Sequence, residues 1–380
     1  MNINIYSENN MFSSPKVSKL PWIEKYRPEK ISDLKQSQGI VSLLKNNIAT
    51  GNITHYILYG KPGTGKTSAI MAVGKEIFRE HYADRVIEFN AADDRGISAV
   101  RDKITYVARR SVHEIKCSDG HIIPAYKIII LDEADAMTSE AQDALRVIIE
   151  KYSSVTRFCF ICNYFSKITD AIKSRCSTIH FKTIDKNLMV ENLDAISKKE
   201  SMVLTKKVLE SIIKISNGDM RRAIMLLQNI KYRYEYIEDS NTNIQNLSCD
   251  KIVNILPMAD RPKAITVDDV YELAASVSIN WASKKIKQIK KCQTVLDVYR
   301  ICQDIHTTGI PPDAIISQLY ESILVSGILT DQQKTAIIYH MSSVMYKLKE
   351  SSDGYIQLMY FTSCIHGVMN DSKLFPLPNY

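Results

Sequence analysis

Glycine and long apolar runs are both scarce in this sequence. Glycine accounts for 13 of the 380 residues, about half of its usual share of roughly 7%, so a cluster of glycines indicates a local backbone requirement. No run reaches the roughly 18 apolar residues of a transmembrane helix. The start, MNINIYSENN, lacks the basic and apolar segments of a secretory signal. These absences predict a protein with no membrane partner that stays inside the cell.

Cysteine is too sparse and too scattered to form a disulfide scaffold. Eight cysteines occur in the chain, which predicts reduced thiols in an intracellular compartment. Cys159 and Cys162 form a C-x-x-C pattern. They lie in an apolar, strand-like run without a second pair, which favours buried thiols over a zinc or redox site. The charge excess, 49 − 42 = +7, permits a polyanionic partner without indicating one.

The hydrophobic pattern begins with an α/β part. At roughly 100–200 residues per domain, the 380 residues predict two or three domains. After a polar N-terminal tail, residues 1–20, short apolar runs alternate with helical patterns over residues 21–183. This alternation predicts an α/β domain whose parallel sheet is covered by helices on both faces. The predicted strands cover residues 55–60, 85–90, 126–132, 157–163 and 178–181.

Only helical periodicity follows the last predicted strand. It predicts a second, helical domain over residues 184–276, with a polar inserted loop at about 232–261, and a third, all-helical domain over residues 277–380. A helix that begins at about Ile97 is expected to run to about Ile115, and the helix before the inserted loop is expected to end at about residue 232.

The strongest local signal is the segment GKPGTGKT, which lies between a predicted strand and a predicted helix. It matches the phosphate-binding pattern G-x-x-x-x-G-K-[ST]. Glycines let the loop turn its N–H groups inward, Lys66 can reach the β- and γ-phosphates, and the Thr67 hydroxyl can ligate magnesium. We therefore predict an ATP and Mg²⁺ site formed by Gly60, Lys61, Pro62, Gly63, Thr64, Gly65, Lys66, Thr67 and Ser68.

Acidic residues follow the third predicted strand. Asp132 at the strand's carboxyl end is placed to hold the magnesium through water. Glu133 can orient and deprotonate an attacking water. The pair predicts hydrolysis rather than storage of the nucleotide. For Asp135 a capping or hydrogen-bonding role is favoured over catalysis.

Seven motifs occur along the chain in a characteristic order. They are WIEKYRP, GKPGTGKT, FNAADDRG, LDEAD, FICNYFSKI, KSRC and GDMRRA. With them the sequence resembles the clamp-loader small subunits of replication factor C from about Trp22 to Arg222, and more weakly beyond. The resemblance implies an AAA+ P-loop ATPase domain (21–183), a helical lid (184–276) and a helical collar (277–380) that joins subunits into a hetero-pentameric ring. Giant DNA viruses carry such subunits, and the Ile-, Asn-, Lys- and Tyr-rich composition suits an AT-rich genome of that kind.

The resemblance assigns roles to three further polar residues. Asn163 matches sensor 1, whose amide can bind the γ-phosphate or the attacking water, while a turn-forming asparagine is the alternative. Arg175 matches the arginine finger, which reaches the neighbouring subunit's ATP. Arg221 matches sensor 2, on the lid. Together with Lys66 and Glu133, these are the predicted catalytic residues.

The segment WIEKYRP resembles the part of the family that passes over the adenine base. Tyr26, Arg27 and Pro28 fit that motif residue for residue and are predicted to line the nucleotide pocket. An apolar N-terminal anchor is the alternative, and both can hold. One departure lies in the segment ALRV, where small subunits often carry two consecutive basic residues and this chain has only Arg146. That departure weakens any DNA-binding or switch role there.

The predicted helix after the second strand is rich in basic residues. Between Ser98 and Lys116 it carries five basic residues against two acidic ones, although a solvated face would look similar. Its apolar positions form one stripe, so the basic side chains lie on the faces away from the core, where they can meet phosphates. The resemblance favours Arg101 as a DNA contact. It also implies that the end of this helix and the loop Cys117–Ala125 press against the sliding clamp.

The resemblance and the nucleotide motifs predict an ATPase subunit of a sliding-clamp loader. Its partners would be other ring subunits, a PCNA-like clamp and primed DNA bound without sequence specificity. It would act at DNA replication sites, in the nucleus of a cellular eukaryote or in a viral replication factory. The alternatives are a non-hydrolysing structural ring subunit and another AAA+ DNA-remodelling ATPase.

Overall fold

The computed structural model describes residues 20–51, 53–91, 97–116, 120–243, 265–327 and 329–370. The predicted N-terminal tail therefore lies outside the described residues except for Leu20. The chain forms two compact units, one of residues Met1–Ser201 with Ser216–Gln228 and one of residues Met202–Ile215 with Asn229–Tyr380. The predicted division into domains at 21–183, 184–276 and 277–380 stays a prediction.

The first unit is built on a five-stranded parallel sheet in the order β2-β5-β6-β1-β7. Each strand comes from a short apolar run, and three central strands are buried almost throughout because helices cover both faces. A separate two-stranded antiparallel ribbon joins β3 to β4. The strands are β1 Tyr56–Gly60, β2 Val86–Asn90, β3 Ile115–Lys116, β4 Ile122–Ile123, β5 Lys127–Asp132, β6 Thr156–Cys162 and β7 Ser177–Phe181.

Helices flank both faces of this sheet, as the sequence pattern predicts. Successive residues of β5 point to opposite faces, so Ile128 and Ile130 pack in one apolar core and Ile129 and Leu131 in another. The helices that lie wholly in the first unit are α1 Trp22–Lys25, α2 Gln38–Thr50, α3 Lys66–Phe78, α4 Tyr82–Arg85, α5 Ile97–Arg109, α6 Ser139–Tyr152, α7 Asp170–Lys173 and α8 Lys186–Lys199. The predicted α/β fold is thus confirmed.

The helix predicted to run to about Ile115 ends earlier, and that expectation is wrong. α5 stops at Arg109, and Ile115 belongs to β3. Buried side chains of β5 and β6 donate hydrogen bonds to carbonyl oxygens at the end of the helix. Lys127 Nζ donates to the Val107 and Arg110 oxygens, and Thr156 Oγ1 donates to Ala108 O at 3.1 Å. These tertiary partners replace the hydrogen bonds that a longer helix would have made.

The loop predicted at Cys117–Ala125 is partly structured. Residues 117–119 lie outside the described residues, while Ile122 and Ile123 form β4 and the Ile123 side chain is fully buried. The sequence of this loop, CSDGHIIPA, looks exposed, and that expectation is wrong at Ile123. Its apolar side chain packs in the core beneath the sheet.

The second unit is helical, as predicted. Its helices are α9 Lys206–Ser216, α11 Val267–Leu273, α12 Ile279–Lys291, α13 Val295–His306, α14 Pro312–Val325, α15 Asp331–Lys349 and α16 Gly354–Met369, and α10 Met220–Asn243 contributes residues to both units. Threonine side chains begin three of these helices with capping boxes, at Thr266, Thr294 and Thr330. Within the described ranges, no helix is long and apolar enough to cross a membrane.

The helix before the inserted loop is longer than predicted. α10 continues past residue 232 to Asn243, and no proline or glycine interrupts the sequence there. Polar composition alone does not end a helix, because polar side chains are compatible with an exposed helical face. Residues 244–261 of the predicted insertion lie outside the described residues.

Candidate nucleotide-binding site

The loop GKPGTGKT connects the end of β1 to the start of α3, at the carboxyl edge of the sheet. Two of its glycines are required by close approach. A Cβ on Gly60 would lie 2.1 Å from Phe181 O, and one on Gly63 would lie 1.8 Å from Asp219 Oδ1. The backbone at Gly63 is also left-handed, with φ of 68°. The scarce glycines therefore serve this local backbone geometry.

Lys66 ends the loop as the first residue of α3, and it is buried. Its Nζ donates to Gly60 O at 2.7 Å, to Lys61 O at 2.9 Å and to Asn163 Oδ1 at 2.9 Å. Burial lowers the pKa of the Lys66 ammonium, while the nearby Asp132 carboxylate opposes that shift. Asn163 reaches the loop because β6, which it follows, is the direct neighbour of β1. The structure thus brings the predicted sensor asparagine beside the predicted phosphate lysine.

Thr67 and Asp132 form a second pair at the same edge. Thr67 lies in the first turn of α3, and its Oγ1 donates to Asp132 Oδ2, in the last residue of β5, at 3.0 Å. Hydroxyl and carboxylate oxygens are ligands that Mg²⁺ accepts, and it commonly takes one or two protein oxygens together with substrate phosphates. The donor set therefore fits the predicted magnesium.

The backbone turns sharply just after Asp132. Glu133 adopts a left-handed conformation with φ of 54°, which is uncommon for a residue with a Cβ. Its N–H donates to Asp132 Oδ1 at 2.8 Å, and its side chain is exposed. Asp135 accepts a hydrogen bond from the Tyr164 N–H at 3.2 Å. The hydrogen-bonding role expected for Asp135 is confirmed.

A cleft that is open to solvent lies beside the loop. Tyr26, Arg27 and Pro28 form part of its wall, together with Gly63, Gly65 and Arg221. The structure therefore brings the predicted base-pocket residues to the phosphate loop, from sequence positions far before it. The other residues that line this cleft are Ile23, Leu34, Lys35, Gln36, Thr64, Ser68, Ile184, Asn192, Met220 and Ile224.

Gln36 is a cleft residue that sequence reasoning missed. Its Nε2 donates to Thr64 O in the phosphate loop at 2.8 Å and to Lys182 O, just after β7, at 3.1 Å. One side-chain amide thus ties the loop to the segment that leads into α8. No motif points to this residue, because a single glutamine in a polar stretch carries no pattern.

Asp219 anchors the start of α10 and also approaches the loop. Its Oδ1 accepts the N–H groups of Arg221 at 2.8 Å and Arg222 at 3.3 Å. This N-terminal cap orients the first turn of the helix. The Arg221 side chain is exposed and lines the cleft.

Arg175 lies away from this cleft, among the residues that the structure describes. It follows α7, and its Nε donates to Glu150 Oε1 at 2.7 Å while Nη1 donates to Ala171 O at 2.7 Å. The structure therefore does not bring Arg175 to Lys66 within this chain. Arg101 lies on α5, and its side chain is outside the described residues.

The C-x-x-C cysteines are buried, as the sequence favours. Cys159 packs in one apolar core and Cys162 in the core on the other face of the sheet. Burial raises the pKa of the Cys162 thiol to about 12 and that of Cys159 well above its usual value. Both are therefore protonated thiols at neutral pH.

Three family models match the chain in sequence order. The family described as "ATPase family associated with various cellular activities (AAA)" matches residues 56–184. The "RCF1/5-like, AAA+ ATPase lid domain" matches residues 191–232, and the "Replication factor C C-terminal domain" matches residues 281–364.

Curated relatives match over nearly their full lengths. The chain is 51% identical, over 352 residues, to a protein described as a replication factor C small subunit of Acanthamoeba polyphaga mimivirus, covering 92% of this chain and 97% of that one. It is 35% identical to replication factor C subunit 2 of Saccharomyces cerevisiae, covering 89% of this chain and 90% of that one. Among solved structures, it is similar to the Thermotoga maritima RuvB Holliday junction branch migration motor, with 16% identity, a TM-score of 0.44, and coverage of 80% of this chain and 92% of that chain.

Proposed function

The chain belongs to the replication factor C family of clamp-loader small subunits, and from this premise we propose how its residues bind and hydrolyse ATP. It is an AAA+ ATPase with a nucleotide-binding fold. The observation that carries the residue assignments is the convergence of Lys66, Asn163, Thr67 and Asp132 at one edge of the sheet.

ATP binding is assigned to the loop and the cleft. The loop N–H groups and Lys66 hold the phosphates, which replace the carbonyl oxygens now bonded to Nζ. Tyr26, Arg27 and Pro28 form the wall against which the base packs. Thr67 and Asp132 would hold Mg²⁺, directly and through water, and the ion would neutralise charge on the β- and γ-phosphates.

Hydrolysis is assigned to Glu133 as the general base. Glu133 takes a proton from water while the water oxygen attacks the γ-phosphorus, and the bond to the bridging oxygen breaks so that ADP leaves with that electron pair. Asn163 orients the water or the γ-phosphate. Arg221 of the same chain stabilises the developing charge, and so does Arg175 of a neighbouring subunit. Arg175 cannot act within its own chain's cleft as described, which supports action in trans.

The partners follow from the family. We propose that the chain assembles with other subunits into a hetero-pentameric ring, opens a PCNA-like clamp and places it on primed DNA at replication sites, in a nucleus or a viral replication factory. DNA would be held through its phosphates, with Arg101 as one contact. A non-hydrolysing ring subunit is the main alternative, and the joint presence of Lys66, Glu133 and Asn163 argues against it.

The decisive measurement is steady-state ATP hydrolysis by the chain alone and with its co-purifying partners, each with and without clamp and primed DNA. We expect strong stimulation only in the full mixture, because the site lacks a neighbour's arginine when the chain is alone. Lys66→Ala should abolish ATP binding. Glu133→Gln should keep binding and lower turnover by at least about a hundredfold, the usual contribution of a general base.

Arg175→Ala tests the shared site. A ring assembled with this variant should bind ATP normally and lose stimulated turnover, since the arginine acts on the neighbour's nucleotide. Clamp loading that continues unchanged with Glu133→Gln would instead make this chain a structural ring member. Hydrolysis that needs neither clamp nor DNA would indicate another AAA+ motor.

A further inference from the structure

The N-terminal wall of the cleft is attached to the lid. Trp22 N–H, at the start of α1, donates to Gln228 Oε1 on α10 at 3.1 Å. Lys25 Nζ donates to Glu200 Oε1, at the end of α8, at 2.6 Å. The Tyr26 hydroxyl donates to the same carboxylate oxygen. Three consecutive contacts of this short segment therefore reach residues of the lid, 174 to 206 positions along the chain.

Glu200 occupies a position that is unfavourable for a carboxylate unless it is paired. It is the C-cap of α8, where the helix dipole repels negative charge. Its side chain is only 15% exposed, so solvent screens that repulsion poorly. Lys25 and Tyr26 compensate it, and the hydrogen bond to Glu200 raises the pKa of Lys25. The carboxylate thus binds two neighbouring side chains of the segment at once, Lys25 and Tyr26.

Tyr26 is held on several sides. Its ring is half-buried and meets the Trp22 ring edge-on, with centroids 6.0 Å apart. Lys199 Nζ lies 5.9 Å from the ring centroid, within cation–π range. The hydroxyl bond to Glu200 fixes the remaining rotation of the side chain. Loss of that bond would free the Tyr26 side chain next to the cleft.

We infer that Glu200 is a positioning residue for ATP binding: by holding Tyr26 and Lys25 against the end of α8, it sets the wall formed by Tyr26, Arg27 and Pro28. This inference rests on the proposed function of the cleft as the ATP site. Arg221 lies on α10, as does the Trp22 partner Gln228. Tyr26 of the base wall is therefore bonded to one lid helix, and the predicted phosphate sensor Arg221 lies on another, so lid position and nucleotide affinity are coupled.

The test is the affinity of the full chain for ATPγS, a slowly hydrolysed analogue of ATP, measured by calorimetry. Glu200→Ala should weaken binding about five- to tenfold, since it removes hydrogen bonds that involve a charged group and loosens the wall. Glu200→Gln keeps an acceptor for the Tyr26 hydroxyl and should restore most of the affinity. The matched control is Asp194→Ala, which removes the exposed Asp194–Lys198 ion pair on the same helix and should leave binding unchanged.

A double-mutant cycle with Tyr26→Phe separates positioning from a general loss of lid stability. If Glu200 acts through Tyr26, the second substitution should add little to the first. The affinity of the double variant for ATPγS should then lie within about twofold of that of the weaker-binding single variant. Fold-changes that multiply, unchanged binding by Glu200→Ala, or equal weakening by Asp194→Ala would overturn the inference. Failure of the wild-type chain to bind ATPγS would instead overturn the proposed function of the cleft.

Discussion

His55 lies just before β1, with its ring against the neighbouring strand. Its Nδ1 accepts the N–H of Phe158 at 3.1 Å, so this nitrogen must carry no proton. The ring centroid is 5.8 Å from that of Phe158. Burial, with a smaller contribution from the Arg157 charge, lowers the pKa of His55 to about 4. The folded sheet therefore holds a neutral histidine.

Because His55 is neutral in the folded protein, we expect the free energy of unfolding to fall in mild acid. The unfolded chain binds the proton at about pH 6.5 and the folded chain only near pH 4, so the stabilisation is complete above pH 6.5 and is lost as pH falls towards 4. The slope is at most about 1.4 kcal/mol per pH unit. Denaturant unfolding of wild type and His55→Asn between pH 4 and 7.5 measures it. The free-energy difference between the two should change over this range, and parallel curves would contradict the assignment.

At the scale of elements, Gln142 connects α6 to the segment that follows β6. Its side chain is buried. Nε2 donates to Lys167 O at 3.0 Å and to Met137 O at 3.3 Å, and Oε1 accepts the Thr169 N–H at 2.8 Å. This segment runs from Asn163 into α7 and on to the arginine finger candidate. One side-chain amide thus bonds three backbone groups, which lie in the segments just before α6 and just before α7.

Replacing Gln142 by leucine should therefore destabilise this junction. Gln142→Leu keeps the apolar volume but leaves buried backbone groups without partners, at an expected cost of about 2–4 kcal/mol in the free energy of unfolding. Denaturant unfolding, followed by circular dichroism, measures the change. Glu140→Ala, an exposed change in the same helix, should stay within about 0.5 kcal/mol. A cost for Gln142→Leu no larger than that of Glu140→Ala would show that the amide is dispensable.

At the scale of the whole molecule, a net charge of +7 permits DNA binding without indicating it, so a DNA contact depends on where basic residues are concentrated. α5 is the element proposed to supply it. Ile104 and Ala108 face the core with no exposed surface, whereas Lys103 and Arg109 are exposed. The described part of the helix is therefore amphipathic, with basic side chains on its exposed face.

Arg101→Ala should weaken binding of the assembled complex to primed DNA. Loss of one phosphate contact should lower the steepness of log affinity against log salt by about 1, equally for unrelated DNA sequences. Fluorescence anisotropy over a salt series measures this slope. Arg109→Ala, at the far end of the same helix, is the matched control and should leave the slope unchanged. An equal effect of both variants would indicate a general charge effect instead of a contact at Arg101.

Much of the fold could be predicted because strand signals are local. Each predicted strand of the main sheet begins and ends within one residue of the observed strand, since an apolar run between turns carries its own bounds. Helix ends were less predictable. α5 ends at Arg109 because Lys127 of β5 and Thr156 of β6 donate hydrogen bonds to its last carbonyls. No pattern near residue 109 in the sequence predicts those partners.

The sequence by itself determined the phosphate loop, the acidic strand end and the family, because each depends on contiguous residues whose types the chemistry restricts. Only the tertiary structure decided which distant side chains complete the site. Gln36 bonds Lys182, 146 positions away, and Tyr26 bonds Glu200, 174 positions away. Such pairs leave no local pattern, since they form only when the sheet order and the packing of the lid bring separate segments together.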